Sequence, residues 1–137
     1  MRPYPCYLKG IHKLLLVFIT LTVTCSAIAQ KSPKKVLYGQ ASFYHNKFNG
    51  RRTASGEIFN QEKMTCACNA LPLGTWIKVT NLRNSRTVVV KVNDRLHPRM
   101  RRVTDLSRSA AKKLGYTGHG LARVKVEVLG KKKPEGV

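Results

Sequence analysis

Apolar and polar positions alternate most regularly near the end of the chain, where Val124, Val126 and Val128 face away from Arg123, Lys125 and Glu127. A period of two over a β-branched run predicts a half-buried strand. VLYGQASFYH, TWIKVTNL and TVVVKV, from Val36, Thr75 and Thr87 respectively, carry the same enrichment in Val, Ile, Thr and aromatic residues. They predict three more strands of a largely antiparallel or mixed sheet.

Asn84-Ser85 separates two of these strands and predicts a tight hairpin turn. Asn49-Gly50 is a second turn signal. One segment has helical spacing: Leu106, Ala110 and Leu114 recur every four residues, and Gly115 supplies the stop. Asp105 precedes that run and is expected to cap it, its carboxylate accepting from the first free N–H groups. Several short strands and one helix predict an all-β fold, a small closed barrel without exposed strand edges.

The N-terminal pattern differs. Arg2, Lys9 and Lys13 precede the run LLLVFITLTV, and Ala27-Ile28-Ala29 offers a cleavage point. Residues 1–29 therefore read as a secretory signal peptide, the apolar run being short for a membrane span. Cys25 could carry a lipid anchor, but Thr22-Val23-Thr24 lacks the small residues expected before a lipidated cysteine, so cleavage at Ala29 is the preferred reading. Residues 30–36 then form a basic tail, 37–130 a single domain, and 131–137 a second basic tail.

Charge narrows the partners. The chain has 26 Lys and Arg against 6 Asp and Glu, a formal charge of +20, and the leader holds only three of those cations and no acids. Such a field favours polyanions: nucleic acid, lipid headgroups or an anionic wall polymer. Export makes nucleic acid the least expected of these and leaves peripheral membrane association open. A secreted protein acting through charge alone is a further, minor reading.

Cys66 and Cys68 follow the leader; a disulfide between residues two apart would need a bent backbone, and two free, partly buried thiols are the alternative. No metal-ligand spacing joins them to His45, His97 and His119, and no cofactor motif occurs.

With so few acids, each can be weighed. Glu135 and Glu127 read as solvated surface charges and Glu62 as part of an exposed turn. That leaves Glu57, at the end of the small-residue stretch TASGE, and Asp94, at the end of a valine strand beside Arg95. Asp94 reads equally as a turn residue paired with Arg95 or as a catalytic acid.

The segments GQASFYHNKFNGRRTASGEIFN, LPLGTWIKVTNLRNSRTVVVKVNDR and VTDLSRSAAKKLGY, in this order, resemble the rare lipoprotein A family of septal ring lytic transglycosylases, over Tyr38 to Leu129. The resemblance implies a six-stranded double-psi β-barrel with one or two short helices, related to the barrel of expansins. It also implies activity on peptidoglycan glycan strands, stripped of stem peptides, by a monomer in the periplasm or envelope of a bacterium. Asp94 of NDR would be the catalytic acid, with Glu57 in the same groove orienting substrate or stabilising positive charge on the sugar. The family's histidine position holds Cys68, which cannot supply an imidazolium. That departure raises the alternative of a non-catalytic, expansin-like glycan-binding module. Weaker substrate contacts fall on Tyr44, Arg52, Thr53, Ser55, Arg95 and Asp105. Phe43 and Trp76 could equally pack the barrel, and Thr53 and Ser55 could equally shape their own loop.

Overall fold

A computed structural model describes residues 35–137; the leader lies outside the described residues. The described residues form six strands: β1 Val36–Phe43, β2 Thr65–Ala67, β3 Trp76–Asn81, β4 Thr87–Asp94, β5 Thr104–Leu106 and β6 Ala122–Gly130. A short 3-10 helix, Asn46–Phe48, follows β1, and helix α1, Arg108–Leu114, follows β5. The strands close in the order β1-β5-β2-β4-β3-β6. β1–β5 and β2–β4 pair in parallel, and the other four pairs are antiparallel. The result is the mixed, six-stranded double-psi barrel that the resemblance implies.

Alternation decides which side of each strand faces the core. Ile77, Val79, Val88, Val90, Val92, Val124 and Val126 are buried, whereas Lys78, Val89, Lys91, Lys125 and Glu127 between them are partly exposed. Register carries the inner set into contact: Val79 lies opposite Val88 on one side and Val126 on the other. Fully burying a side chain of this size contributes about 1.5–3 kcal/mol. Ala110, Ala111 and Leu114 of α1 join the same core.

The β3–β4 hairpin turns where expected, with Ser85 at a φ of 59°. Two strands were not legible from periodicity: β2 and β5 have three residues each. The expectation that Asp105 caps the helix is corrected. Asp105 lies within β5, and Ser107 is the cap, its Oγ accepting from the Ala110 N–H at 3.3 Å. Gly115 ends α1 in the left-handed region at a φ of 74°.

One irregularity positions the site. In the β2–β4 pairing Cys66 faces Val92, but the next residue, Ala67, faces Asp94, so Asn93 is an extra residue in β4. A bulge of this kind bends the strand and re-aims the side chains beyond it.

Candidate active site

Asp94 ends β4 just past the bulge, and its carboxylate gathers three donors. Oδ1 accepts the backbone N–H of Ala54 at 2.9 Å and of Arg95 at 2.8 Å. Oδ2 accepts the Tyr44 hydroxyl at 2.7 Å. Tyr44 follows β1, and its ring packs on Phe59 with centroids 4.3 Å apart and edge-on to Phe48 at 5.9 Å. Burial, reinforced by the hydrogen bond to Asp94 and its charge, pushes the Tyr44 phenol far above its ordinary range. Tyr44 therefore stays a hydrogen-bond donor.

The reading of Asp94 as an ion pair with Arg95 does not hold: the Arg95 guanidinium Nη1 turns instead to the carbonyls of Cys68 and Leu71, the latter at 2.7 Å. It braces the segment after β2 against the end of β4.

Asp94 lines an open cleft of about 390 Å³ together with Tyr44, Phe43, Phe48, His45, His97, Met100, Arg102 and Asp105. The chain thus brings Tyr44, Asp94, Arg95 and Asp105 together. Asp105 enters the cleft as half of a two-bond ion pair, with Arg102 Nε to Oδ1 at 2.8 Å and Nη2 to Oδ2 at 3.0 Å. Pattern reading missed Arg102 as a cleft residue; a cation three positions before Asp105 is the signal that could have found it.

Glu57 has its own set of partners. Its carboxylate accepts from Lys91 Nζ at 2.8 Å and from Asn93 Nδ2 at 3.0 Å, and it is not among the side chains lining the Asp94 cleft. Of two neighbouring β4 residues, Asn93 thus donates to Glu57 while Asp94 lines the cleft. The Glu57 loop is still tied to Asp94 through its backbone: Thr53 N–H and Oγ1 both meet the Glu57 carbonyl, Ser55 N–H meets the Asn93 carbonyl, and Ala54 N–H meets Asp94. Thr53 and Ser55 bond each other at 3.0 Å, and Arg52 Nη1 donates to the Gly56 carbonyl. These polar groups shape the loop that delivers one donor to Asp94.

Cys66 and Cys68 are free and fully buried. Burial pushes both thiols up, and Cys68 does not line the cleft. It touches the site through its backbone, its N–H donating to the Asp94 carbonyl at 3.1 Å.

The profile of a family described as Lytic transglycolase matches residues 37–126. The endolytic peptidoglycan transglycosylase RlpA of Pasteurella multocida is 52% identical over 91 residues, covering 66% of this chain and 31% of that protein. A probable endolytic peptidoglycan transglycosylase RlpA of Nostoc sp. is 54% identical over 95 residues, 68% of this chain and 26% of that protein. The chain therefore spans about a third or less of the length of these relatives. Two solved structures share the fold at lower identity. The apo expansin of Clavibacter michiganensis has a TM-score of 0.57 and 23% identity, over 73% of this chain and 53% of that one. The Streptomyces papain inhibitor has a TM-score of 0.56 and 22% identity, over 69% and 94%.

Hydrogen bonds from Lys91 and then Asn93 hold the Glu57 carboxyl below its ordinary value, so the pair adds stability above the unfolded value and loses it as pH falls through the folded one. Because both side chains are well exposed, Glu57→Gln should cost only about 0.2–1 kcal/mol at neutral pH. Urea unfolding should show that difference shrinking as pH falls below about 4.3 and disappearing once Glu57 is protonated in the folded chain; a penalty that does not shrink as pH falls would contradict the linkage. The two thiols should resist a disulfide reagent at pH 8 in the native chain and react stoichiometrically in denaturant. Rapid native labelling of Cys68 would contradict its enclosure.

Proposed function

The chain belongs to the lytic transglycolase family, and on that premise we propose that it cleaves peptidoglycan glycan strands, with Asp94 as the proton-transferring group. The observation that carries this reading is the unequal state of the two carboxylates in the cleft. Asp105 is bound by Arg102, whereas Asp94 is held by neutral donors and has no ion-pair partner among the described residues.

A glycosidase that uses water needs two working carboxylates, one to protonate the leaving oxygen and one to activate water or attack the sugar. One working acid suffices if the nucleophile is the sugar's own 6-hydroxyl. Asp94 enters the step protonated, gives that proton to the bridging oxygen as the glycosidic bond breaks, then takes the proton of the 6-hydroxyl as a 1,6-anhydro ring closes, which restores the acid. The internal hydroxyl replaces a water-capture step with an intramolecular one.

Oδ1 already accepts two backbone N–H groups and Oδ2 only one hydroxyl. We assign the proton transfer to Oδ2. Tyr44 fixes the rotation of the carboxylate so that this oxygen keeps one direction for the substrate. Glu57 supports the reaction at a distance, anchoring the loop that supplies the Ala54 N–H.

The wider setting belongs to the same proposal. Residues 1–29 export the chain, and a monomer meets the wall in the periplasm or envelope, where its positive field attracts anionic glycan. A second reading, a module that grips glycan without cutting, draws support from the enclosed thiol at Cys68, which offers the cleft no charge.

Mass analysis of stripped glycan digested by the purified chain separates the two. Cleavage should release ends lighter by one water than hydrolytic ends, and Asp94→Asn should reduce them by about 10²–10⁴-fold while binding persists. Binding by the wild-type chain with no anhydro product would favour the module. Cys68→His, a larger side chain in a fully buried place, should bring no rate gain and cost about 1–3 kcal/mol of stability. A large gain would show that the cleft lacks an imidazole it can use.

A further inference from the structure

The Arg102–Asp105 pair has a feature that its role as a simple ion pair leaves unused. Asp105 takes one edge of the guanidinium, the edge formed by Nε and Nη2. A guanidinium is a rigid planar fork of five N–H donors, so engaging that edge leaves the end-on fork of Nη1 and the second Nη2 hydrogen. No acceptor among the described residues meets Nη1. Arg102 lines the Asp94 cleft and is partly open, with 26% of its side chain exposed, while Asp105 is more enclosed at 15%. The enclosed acid therefore fixes the plane of the guanidinium and leaves its outer fork to the cleft.

The other arginine of the cleft is held differently: its Nε and Nη2 also meet no acceptor among the described residues, but no carboxylate fixes the plane of that edge. Arg95 donates two bonds from Nη1 to the carbonyls of Cys68 and Leu71 and serves as a brace.

We propose that Arg102 is the specificity-determining residue of the cleft, reading the free lactyl carboxylate of a muramic acid residue through its outer fork. The inference rests on the glycan-strand reading above and names what that site distinguishes. In an intact strand the lactyl group is joined to a stem peptide through an amide. The amide carries no charge and presents one carbonyl oxygen where a carboxylate presents two. A fork matches two oxygens in one plane and gains a charge-assisted bond only from the carboxylate. Stem-peptide removal thus creates the group that Arg102 is positioned to hold, beside the acid that acts on the neighbouring bond.

General attraction between a basic chain and an acidic polymer would also favour free carboxylates, so the test must keep net charge constant. The double substitution Arg102→Gln with Asp105→Asn removes one cation and one anion together and leaves no orphaned charge. Arg102→Lys keeps the charge and removes the fork. The probes are stripped glycan strands and the same strands with their lactyl carboxylates converted to methylamides. Binding is measured by calorimetry with the full chain carrying Asp94→Asn, and cleavage in parallel with Asp94 intact.

The Asp94→Asn chain should bind the carboxylate form about ten to a hundred times more tightly than the amide form, the range for a charge-assisted bond. The double variant should lose most of that preference, its affinity for the carboxylate form falling much further than its affinity for the amide form, and Arg102→Lys should fall between. Thermal unfolding checks that each variant is folded. Equal binding of the two probes by the Asp94→Asn chain, failure to bind stripped glycan, or a preference that survives in a folded double variant would overturn the proposal. Carboxylate-selective binding lost in the double variant, with no cleavage by the Asp94-intact chain, would instead sustain Arg102 as the reader and overturn the enzymatic reading.

Discussion

The carboxylate of Asp94 ties together three stretches of chain that sequence keeps far apart. It ends β4, receives the hydroxyl of Tyr44 from beyond β1, and receives the Ala54 N–H from the loop before β2. Each donor is held in turn: Tyr44 by its packing on Phe59, and Ala54 by the Thr53–Glu57 and Ser55–Asn93 backbone bonds. Adjacent residues of one strand serve both ends of this arrangement, Asn93 toward Glu57 and Asp94 toward the cleft. A carboxylate fixed from three sides can meet a substrate without reorganising, which is the condition under which a positioned acid or base contributes most.

Scarcity of acids is what makes this arrangement readable. In a chain of charge +20, three of the six acids are held by cations: Glu57 by Lys91, Asp105 by Arg102, and Glu127 by Lys78 and Lys125. Asp94 is instead held by a phenol and two backbone amides. The general field draws anionic polymer toward the whole surface and falls off over about 8–10 Å in ordinary salt. Only a group with fixed geometry can discriminate within that field, which is why the oriented fork of Arg102 carries a different kind of information from the exposed lysines.

The strands carried by valine alternation were open to pattern reading, because inward and outward positions differ along β1, β3, β4 and β6. β2 and β5 were not: three residues cannot display a period, and Thr65–Ala67 and Thr104–Leu106 are strands because their neighbours complete their hydrogen bonds. The same shortness produced the mistake over Asp105, since DLS before a helical run looks like a cap when the intervening strand is invisible. Six-stranded closure came from the resemblance rather than from periodicity. At the site, Asp94 and Tyr44 could be singled out by motif, but their bond spans fifty positions and depends on barrel closure. Glu57 was expected in the same groove. Its carboxylate is held by Lys91 and by Asn93, the β4 residue before Asp94, a pairing that no pattern in the letters displays.

The bond between Tyr44 and Asp94 gives the most direct access to the central claim, because its removal leaves every charge and both backbone donors in place. Steady-state cleavage of stripped glycan by Tyr44→Phe should show kcat reduced about tenfold or more with KM within about twofold and the fold intact, the pattern of an interaction used mainly in the transition state. An unchanged kcat, with the phenylalanine ring still seated on Phe59, would contradict the account that a rotationally fixed Asp94 does the chemistry.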